Sequence, residues 1–517
     1  MLRTLAVLCA ALLATAPAYA QSDVPCETML GDFWGEKEPQ ANVPTVDGTT
    51  IRSPAELAKA VGRGAIIQGG NFAGWDFRRV ALTNACFVEA DLKASQWDGA
   101  RVPGVGFIKS NLTDASLLGI KAPGILFRDA NLTDVKAGKA DFSGGMLEGG
   151  WFDGSVDGLN LDGANLTGFA FSCGITLSDG CPLYGSDKGM SALGANLSRA
   201  KLSSFHRYGL SDIALDGALL DRTEISPAQL ASLKGRMISQ PLVLVGGDSR
   251  IELTAAEAQA LADDAAVADS GDKGPSFDCA RAASPAEKML CLPDNRDLAA
   301  ADRLLAQTFS QARKTRPHLV AEQRQWLKQR DGCMAQEFPA DCLRTAYTER
   351  QGQLLGTLGE SNWLRPGEAA LFIDDELPVS DAMRGSPLFA RIAPLLAQAS
   401  MGFAFVERTP DGRYRTSGES IGANAHTCTL GAAGLSLDSA SGWYGLRDGE
   451  SNRWIRIVQI DRDWLRVFAN GHPYGEGAEG SADYASCGAR AAFGPMRRTA
   501  LPPEVLKSYA ARADMEQ

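Results

Sequence analysis

One apolar position returns every five residues over a long stretch of this chain. The register reads Phe72, Phe77, Leu82, Phe87, Leu92, Trp97, Val102, Phe107, Leu112, Leu117, Ala122, Phe127, Leu132, Ala137, Phe142, Leu147 and Phe152, with no polar residue among them. Two residues before many of these runs a second register of small side chains: Ala85, Ala90, Ser95, Ala100, Ser110, Ala115, Ala130, Ala140 and Gly145. Asp or Asn often sits between the two, as in Ala90-Asp91-Leu92 and Ala130-Asn131-Leu132. A period of five suits neither a helix of 3.6 residues per turn nor a strand of period two. It calls for a backbone that returns to the same face every five residues, which is a solenoid.

The pattern resembles the pentapeptide-repeat family, whose consensus is Ala-(Asp/Asn)-Leu-x-x. The resemblance implies a right-handed, quadrilateral β-helix with four pentapeptides per coil. The large apolar residue then fills a narrow shaft and the small one leaves room for it. Coils stack about 4.8 Å apart through backbone hydrogen bonds. The register slips by one after Phe152 and resumes at Val156, Leu161, Leu166 and Phe171. It returns at Ala195-Asn196-Leu197 and Ala200-Lys201-Leu202, after an excursion from Ser172 to Leu193 that carries Cys173 and Cys181.

Residues 1–20 read as a secretory signal peptide. Arg3 precedes an apolar core from Leu5 to Thr15, too short to span a bilayer, and Ala18-Tyr19-Ala20 is a small-residue cleavage site. The expectation is an exported protein, periplasmic or secreted, with no transmembrane segment. Removing Cys9 from the eleven cysteines leaves ten, an even number that reads as disulfides in an oxidising compartment. Pairing near neighbours gives Cys173–Cys181, Cys279–Cys291, Cys333–Cys342 and Cys428–Cys487, with Cys26–Cys86 left by elimination. Sequence alone does not fix that connectivity.

Outside the repeats, three segments start alike. Ser53-Pro54-Ala55-Glu56, Ser226-Pro227-Ala228-Gln229 and Ser284-Pro285-Ala286-Glu287 each combine an N-cap serine, a proline at N1 and an acid or amide three residues on. The first two predict helices that cover the ends of the solenoid. The third opens an all-helical unit. Leu298, Leu305 and Phe309 share one face of its first long helix, Trp326 and Leu327 anchor the second, and Leu343, Ala346, Tyr347 and Leu354 mark the third. The predicted organisation is therefore multidomain. It comprises a signal peptide (1–20), an N-terminal segment with a capping helix (21–66) and the β-helix with its C-terminal capping helix (67–240). A linker (241–276), a small disulfide-stapled all-α domain (277–357) and a small, mainly β, α+β C-terminal module (358–517) follow. Within 241–276, Leu242–Val245 reads as a strand and 254–265 as a short helix.

The helical unit resembles the LprI-type lysozyme-inhibitor domain. The resemblance rests on Phe277-Asp278-Cys279, on Ser284 to Cys291, on Glu322-Gln323-Arg324-Gln325-Trp326-Leu327-Lys328-Gln329-Arg330-Asp331-Gly332-Cys333, and on Cys342-Leu343-Arg344-Thr345-Ala346-Tyr347. It implies a protein partner, a lysozyme among the candidates. The stretch around Cys487-Gly488-Ala489-Arg490-Ala491 resembles the end of a cysteine-bridged β-module found beside such domains, and the barrels of other periplasmic lysozyme inhibitors.

Charge and chemistry narrow the function. The net charge is −11. Residues 71–222 hold 14 basic and 17 acidic groups, net −3, which does not suit nucleic acid as a partner or mimicry of it. Residues 277–357 hold 12 basic and 10 acidic groups, net +2, so the helical unit has no acidic field to steer a basic lysozyme. Of the four histidines, His206, His318, His426 and His472, none forms a His-Glu-x-x-His motif. His426, Cys428, His472 and Cys487 could ligate zinc; a Cys428–Cys487 disulfide with two surface histidines is the better reading. Ser198-Arg199-Ala200-Lys201 matches Ser-x-x-Lys but lies inside the repeats without its partner motifs. The expectation is no enzyme, no cofactor and no metal. Trp326 reads as core, and Arg324, Lys328 and Arg330 as a solvated face. The reading is an exported, non-catalytic binding protein, lysozyme-inhibitor-like, that sterically blocks a muramidase. The alternative is an envelope scaffold that uses the β-helix as a rigid display rod.

Overall fold

The structure is a computed structural model. It describes Cys26 and residues 43–149, 151–171, 189–202, 210, 213–270, 274–292, 295–359, 364–374, 377–421, 426–450, 452–468, 484–488, 493–494 and 496–515. The expected signal peptide, Cys9, the Cys173–Cys181 pair, His206 and His472 lie outside these residues. The chain divides into two compact bodies. One is Met1–Gly174 with Pro182–Lys201 and Asp212–Asp221; the other is Ile175–Cys181, Leu202–Ser211 and Arg222–Gln517.

The first body is a parallel β-solenoid. Asn71 bridges Asp91, Asp91 bridges Asn111, and Asn111 bridges Asn131. On another face Cys86 pairs with Gly106, Gly106 with Leu126, and Leu126 with Met146. Each step is twenty residues, so four pentapeptides make one coil. The register slip shows as a nineteen-residue step from Asp141 to Asn160, and the excursion as a step of thirty-one from Asn160 to Ser191.

The consensus follows from the corners. Two residues after most of the apolar positions the chain takes a positive φ, 55° at Ala94, 60° at Asp114 and 66° at Gly99. Three residues after it an N–H closes the turn, Ser95 to the Leu92 carbonyl at 3.1 Å and Ala115 to Leu112 at 2.9 Å. Positive φ at the third residue with that bond is the type II pattern. The Asn or Asp before the apolar residue pins the same corner. Asn111 Oδ1 accepts from Thr113 N–H at 3.2 Å, Asn131 Oδ1 from Thr133 at 3.1 Å and Asp141 Oδ1 from Ser143 at 3.3 Å. Inside the shaft, Phe87 stacks on Phe107 and Phe107 on Phe127, each at 5.5 Å. Leu112 and Phe127 are buried, as are Ala90, Ala130 and Ala140 of the small register.

The solenoid begins earlier than residue 67. Thr45–Asp47 pairs in parallel with Ala65–Gln68 and adds a rung from the segment expected to lie outside it. Helix α1 (Pro54–Val61) sits between these strands, with the Ser53 hydroxyl accepting from Glu56 N–H and Leu57 and Val61 buried.

In the second body, helix α2 (Pro227–Ser232) opens with a full Ser226/Gln229 capping box. Within residues 241–276, expected as a linker holding a strand at Leu242–Val245 and a short helix at 254–265, the structure has strands β1 (Leu242–Gly246) and β2 (Ser249–Leu253) and the longer helix α3 (Ala255–Ser270). Ala258, Leu261, Ala262 and Ala265 are buried at helical spacing, which is why this acidic, alanine-rich stretch folds. It packs on the C-terminal module. Glu257 pairs with Arg391 at 2.6 Å, and Asp264 accepts from the Ser380 N–H and hydroxyl at 2.7 and 2.8 Å.

The helical unit follows with α4 (Pro285–Leu290), α5 (Arg296–Thr315), α6 (Leu319–Asp331) and α7 (Pro339–Leu358). Leu298, Leu305, Trp326, Leu343, Tyr347 and Leu354 form its core. Disulfides Cys279–Cys291 and Cys333–Cys342 tie the chain around α4 and at the first turn of α7.

The C-terminal module is a closed antiparallel barrel of eight strands. They are β3 (Ala369–Ile373), β4 (Gly402–Arg408), β5 (Tyr414–Ile421), β6 (Thr427–Asp438), β7 (Trp443–Arg447), β8 (Trp454–Ile460), β9 (Trp464–Val467) and β10 (Met496–Thr499). Neighbours in sequence pair in turn, and β10 closes the ring on β3 through Leu371–Thr499 and Ile373–Arg497. Eight strands leave an interior that side chains fill, and Phe372, Val406, Leu430, Ile457 and Leu465 fill it. The Cys428–Cys487 disulfide joins β6 to the short strand Ala485–Cys487. Helices α8 (Asp381–Arg384), α9 (Pro387–Ala399) and α10 (Pro503–Met515) lie outside the ring. Tyr509 of α10 packs edge-on to Phe403 at 5.1 Å and donates to the Ala397 carbonyl at 3.1 Å.

Helix α7 joins the helical unit to the barrel. Glu349 pairs with Arg456 of β8 at 2.6 Å. One turn on, Gly352 lies against the Ser441 carbonyl; a Cβ there would also stand 3.0 Å from Gln459 Nε2. Gly356 lies against Ser439 in the same turn, whose carbonyl carbon would be 2.8 Å from a Cβ. The glycines bring the helix within reach of the backbone between β6 and β7.

Candidate functional site

Among the described residues, no group of three or more His, Cys, Asp or Glu is placed to hold a metal ion. Both sulfurs near His426 are bonded to each other in Cys428–Cys487. Ser198 of the Ser-x-x-Lys sequence is a corner residue of a coil, its N–H bound to Asn196 Oδ1 at 3.1 Å. Arg199, the next residue, carries the positive φ of that corner, 57°. A cavity in the second body, lined by Ile373, Asp374, Leu377, Arg384, Phe389, Leu396 and Thr499, has a volume of about 10 Å³. That is room for about one water molecule and no substrate.

The helical unit offers the better candidate, and its chemistry is that of a rigid surface. Trp326 and Arg330 are four residues apart, so both face inward from α6. Trp326 meets Tyr347 of α7 edge-on at 5.2 Å. Arg330 is only 3 % exposed. The expectation that it belongs to a solvated face is corrected: spacing from Trp326 places it in the core, where it needs partners. It finds them in Asp331 Oδ1, at 3.1 Å from Nε and 2.7 Å from Nη2, and in Tyr347 Oη, at 3.1 Å from Nη1. Tyr347 in turn donates to Asp302 Oδ1 at 2.8 Å, and Asp302 Oδ2 accepts from the Ser276 N–H at 2.6 Å. This chain of bonds ties α5, α6, α7 and the segment before α4 together.

The electrostatics are those of a locked network. Burial pushes the Tyr347 hydroxyl far above its ordinary range, and the Asp302 carboxylate adds to the rise. Burial alone would pull Arg330 down, yet Tyr347 and Asp331 hold it above its usual value. At the start of α4, the N–H groups of Ser284 and Ala283 hold Glu287 below the usual carboxylate value. The Gln-x-x-Trp-Leu-x-x-Arg-Asp sequence therefore positions helices and does not present a reactive group.

What α6 turns outward is different. Arg324 and Lys328 are exposed, as expected. Leu327 was expected to anchor the helix; it is 38 % exposed, because the position after Trp326 points away from the buried stripe. Phe338, at the start of α7, is 65 % exposed, and Leu292, beside Cys291, is 51 % exposed. Sequence reasoning passed over Phe338 and Leu292. An aromatic between two cysteines, Cys333 and Cys342, was the available signal.

The described residues form a parallel solenoid of pentapeptide coils in one body and, in the other, a stapled helical unit and a closed barrel. Residues 110–149 match the profile of the pentapeptide-repeat family in eight copies. No curated protein matches the chain in sequence. Solved structures match about a third of the chain at low identity. Full-length QnrB1, a plasmid-mediated fluoroquinolone resistance protein, is 15 % identical over 34 % of this chain and 89 % of its own, with a TM-score of 0.21. HetL, a pentapeptide-repeat protein involved in heterocyst differentiation regulation in Nostoc sp. strain PCC 7120, is 20 % identical over 34 % and 98 %, with a TM-score of 0.14. A pentapeptide-repeat protein of the Arabidopsis thaliana thylakoid lumen is 22 % identical over 29 % and 78 %, with a TM-score of 0.13.

Proposed function

We propose that this is an exported, non-catalytic binding protein whose second body blocks a lysozyme-type muramidase by steric occlusion. The observation that carries the reading is the locked helical unit. Its LprI-like sequence builds a buried Trp326–Arg330–Tyr347–Asp302 network under two disulfides, and leaves Leu327, Phe338 and Leu292 outside. A surface held this firmly loses little side-chain and loop entropy when a partner binds. Exposed apolar side chains, an aromatic among them, are where a partner gains most on contact. Four disulfides among the described residues support a location outside the reducing cytosol, in the periplasm or beyond. No described helix is long and apolar enough to cross a membrane.

The test is inhibition of several lysozyme classes by the complete mature chain. Inhibition should depend only modestly on salt, because the helical unit carries a net charge of only +2, from 12 basic and 10 acidic groups. Phe338→Asp and Leu327→Asp should each weaken it at least tenfold while the melting profile stays unchanged. Absence of binding to any muramidase at micromolar concentration would sink the proposal and favour the envelope scaffold, in which the solenoid serves as a display rod.

A further inference from the structure

Helix α6 is held to the second body along one stripe. Leu319, Gln323, Trp326 and Arg330 recur at helical spacing. Leu319, Trp326 and Arg330 are buried, and Gln323 Oε1 accepts from Arg350 Nε at 2.9 Å. Val320, Arg324, Leu327 and Lys328 are spaced to share another side of the helix, and all four are exposed. The end of α5 adjoins that side through a short turn, in which the Leu319 and Val320 N–H groups bond back to the Arg316 and Pro317 carbonyls at 3.1 and 3.2 Å. Arg313, Lys314 and Arg316 stand there, exposed as well. From Arg313 to Lys328 the chain carries five basic residues and one acidic residue, Glu322. The rest of residues 277–357 carries seven basic and nine acidic. The small net charge of the helical unit therefore conceals a separation, +4 on this stretch and −2 elsewhere. Among the described residues none of the five cations pairs with a carboxylate. Glu322 lies 3.8 Å from His318 instead, and Asp331 is bound to Arg330 at 2.7 Å.

We propose that this face docks on a membrane surface that carries anionic phospholipid headgroups. A basic helix face that also shows apolar side chains suits that interface. The cations meet the phosphates, while Val320 and Leu327, 36 % and 38 % exposed, enter the apolar boundary beneath them. A soluble polyanion would engage the charges and leave both apolar side chains in water. Each lysine or arginine near an anionic leaflet multiplies affinity roughly fivefold, so five together give on the order of a thousandfold. The whole chain is negative, at −11. That does not prevent docking, because at physiological salt charges more than about 8 Å apart are largely screened and the local face decides. The inference does not rest on the muramidase reading. Leu327 figures in both, so the test leaves it in place.

Sedimentation of the complete mature chain with lipid vesicles tests it. Vesicles of equal parts phosphatidylglycerol and phosphatidylcholine should bind the protein at least tenfold more tightly than vesicles of phosphatidylcholine alone. Raising the salt should abolish the difference. A Lys314→Glu/Arg316→Glu/Lys328→Glu variant should bind the anionic vesicles at least tenfold more weakly with its melting profile unchanged, whereas Lys314→Arg/Lys328→Arg should bind as the native protein does. Val320→Trp should strengthen binding, because an indole favours the membrane interface. Equal binding to both kinds of vesicle would overturn the proposal. So would undiminished binding of the charge-reversed variant to anionic vesicles, or capture by soluble polyphosphate with none by vesicles.

Discussion

Replacing Gly352 by alanine should undock the helical unit from the barrel. Two glycines inside one helix of twenty residues each cost about 1 kcal/mol relative to alanine, so their presence points to a packing reason. The structure supplies it: a methyl group at Gly352 would press on the Ser441 carbonyl, 3.3 Å from its carbon and 3.0 Å from Gln459 Nε2. Both partners are backbone held by regular structure, α7 on one side and the β6–β7 turn on the other, so neither yields cheaply. Overpacking at such sites costs roughly 1–3 kcal/mol. Taking about 3 kcal/mol for a clash with backbone, less about 1 kcal/mol regained in helix propensity, leaves about 2 kcal/mol of destabilisation. For a body of this size that lowers the melting temperature by roughly 3 °C. Hydrogen exchange of the Asp438–Trp443 turn should rise along with that of α7. Gly332 is the control. It has ordinary helical dihedrals, φ −63° and ψ −19°, and no heavy atom would lie within 4 Å of a Cβ there. Gly332→Ala should be neutral or stabilising by about 0.4–1 kcal/mol. If Gly352→Ala melts within 1 °C of Gly332→Ala, the seam is not what holds the two parts together.

Phe127→Ala should cost the solenoid about 3–5 kcal/mol, read as a lower melting transition, because the ring is 1 % exposed and stacked in the shaft; Leu112→Asp should abolish that transition altogether. Tyr347→Phe should destabilise the helical unit by about 1–3 kcal/mol in urea titration, since Arg330 Nη1 and Asp302 Oδ1 each lose a buried partner. Glu287 has its carboxyl held below the unfolded value, so its contribution is present above about pH 4.5 and is lost as pH falls through the folded value; Glu287→Gln should flatten the acid limb of the stability profile. Thiol labelling of denatured, unreduced protein should find Cys279, Cys291, Cys333 and Cys342 blocked, and reduction should cost roughly 2–3 kcal/mol for each of their short loops.

The solenoid was legible because its constraint repeats. Every coil needs the same inward residue, the same small neighbour and the same corner, so one pattern is written many times. The face that runs through Cys86, Gly106, Leu126 and Met146 was written there too, but with a period of twenty that a five-residue register conceals. In the helical unit the core was legible from Leu298, Leu305, Trp326 and Tyr347. Arg330 was misread because charge suggested solvent while its spacing from Trp326 dictated the interior; Leu327 was misread the opposite way. The barrel was legible only as a mainly β module with a barrel resemblance near Cys487, because its closure depends on Leu371 meeting Thr499, a pairing between strands more than a hundred residues apart. Within 241–276 the strand from Leu242 and the start of the helix were legible; the return strand Ser249–Leu253 and the run of the helix to Ser270 were not, because Glu and Asp made the stretch look solvated.

The joined architecture bears on what can act as the functional unit. Helix α7 serves two cores at once. Leu343, Tyr347 and Leu354 face the helical bundle, while Glu349, Gly352 and Gly356 face the barrel. A fragment ending at residue 357 would expose the glycine face and strand the Glu349 carboxylate without Arg456. Separating the units would also uncover Gln459, which is fully buried beside Gly352. The polar core of the bundle, from Arg330 to Asp302, has no slack to absorb such a change, because a buried charge that loses one partner is costly. A surface that blocks a cleft by shape alone depends on that stiffness. Binding measured on residues 277–357 in isolation would therefore report on a loosened helix pair, and the complete second body is the smallest piece whose outward face is the one described.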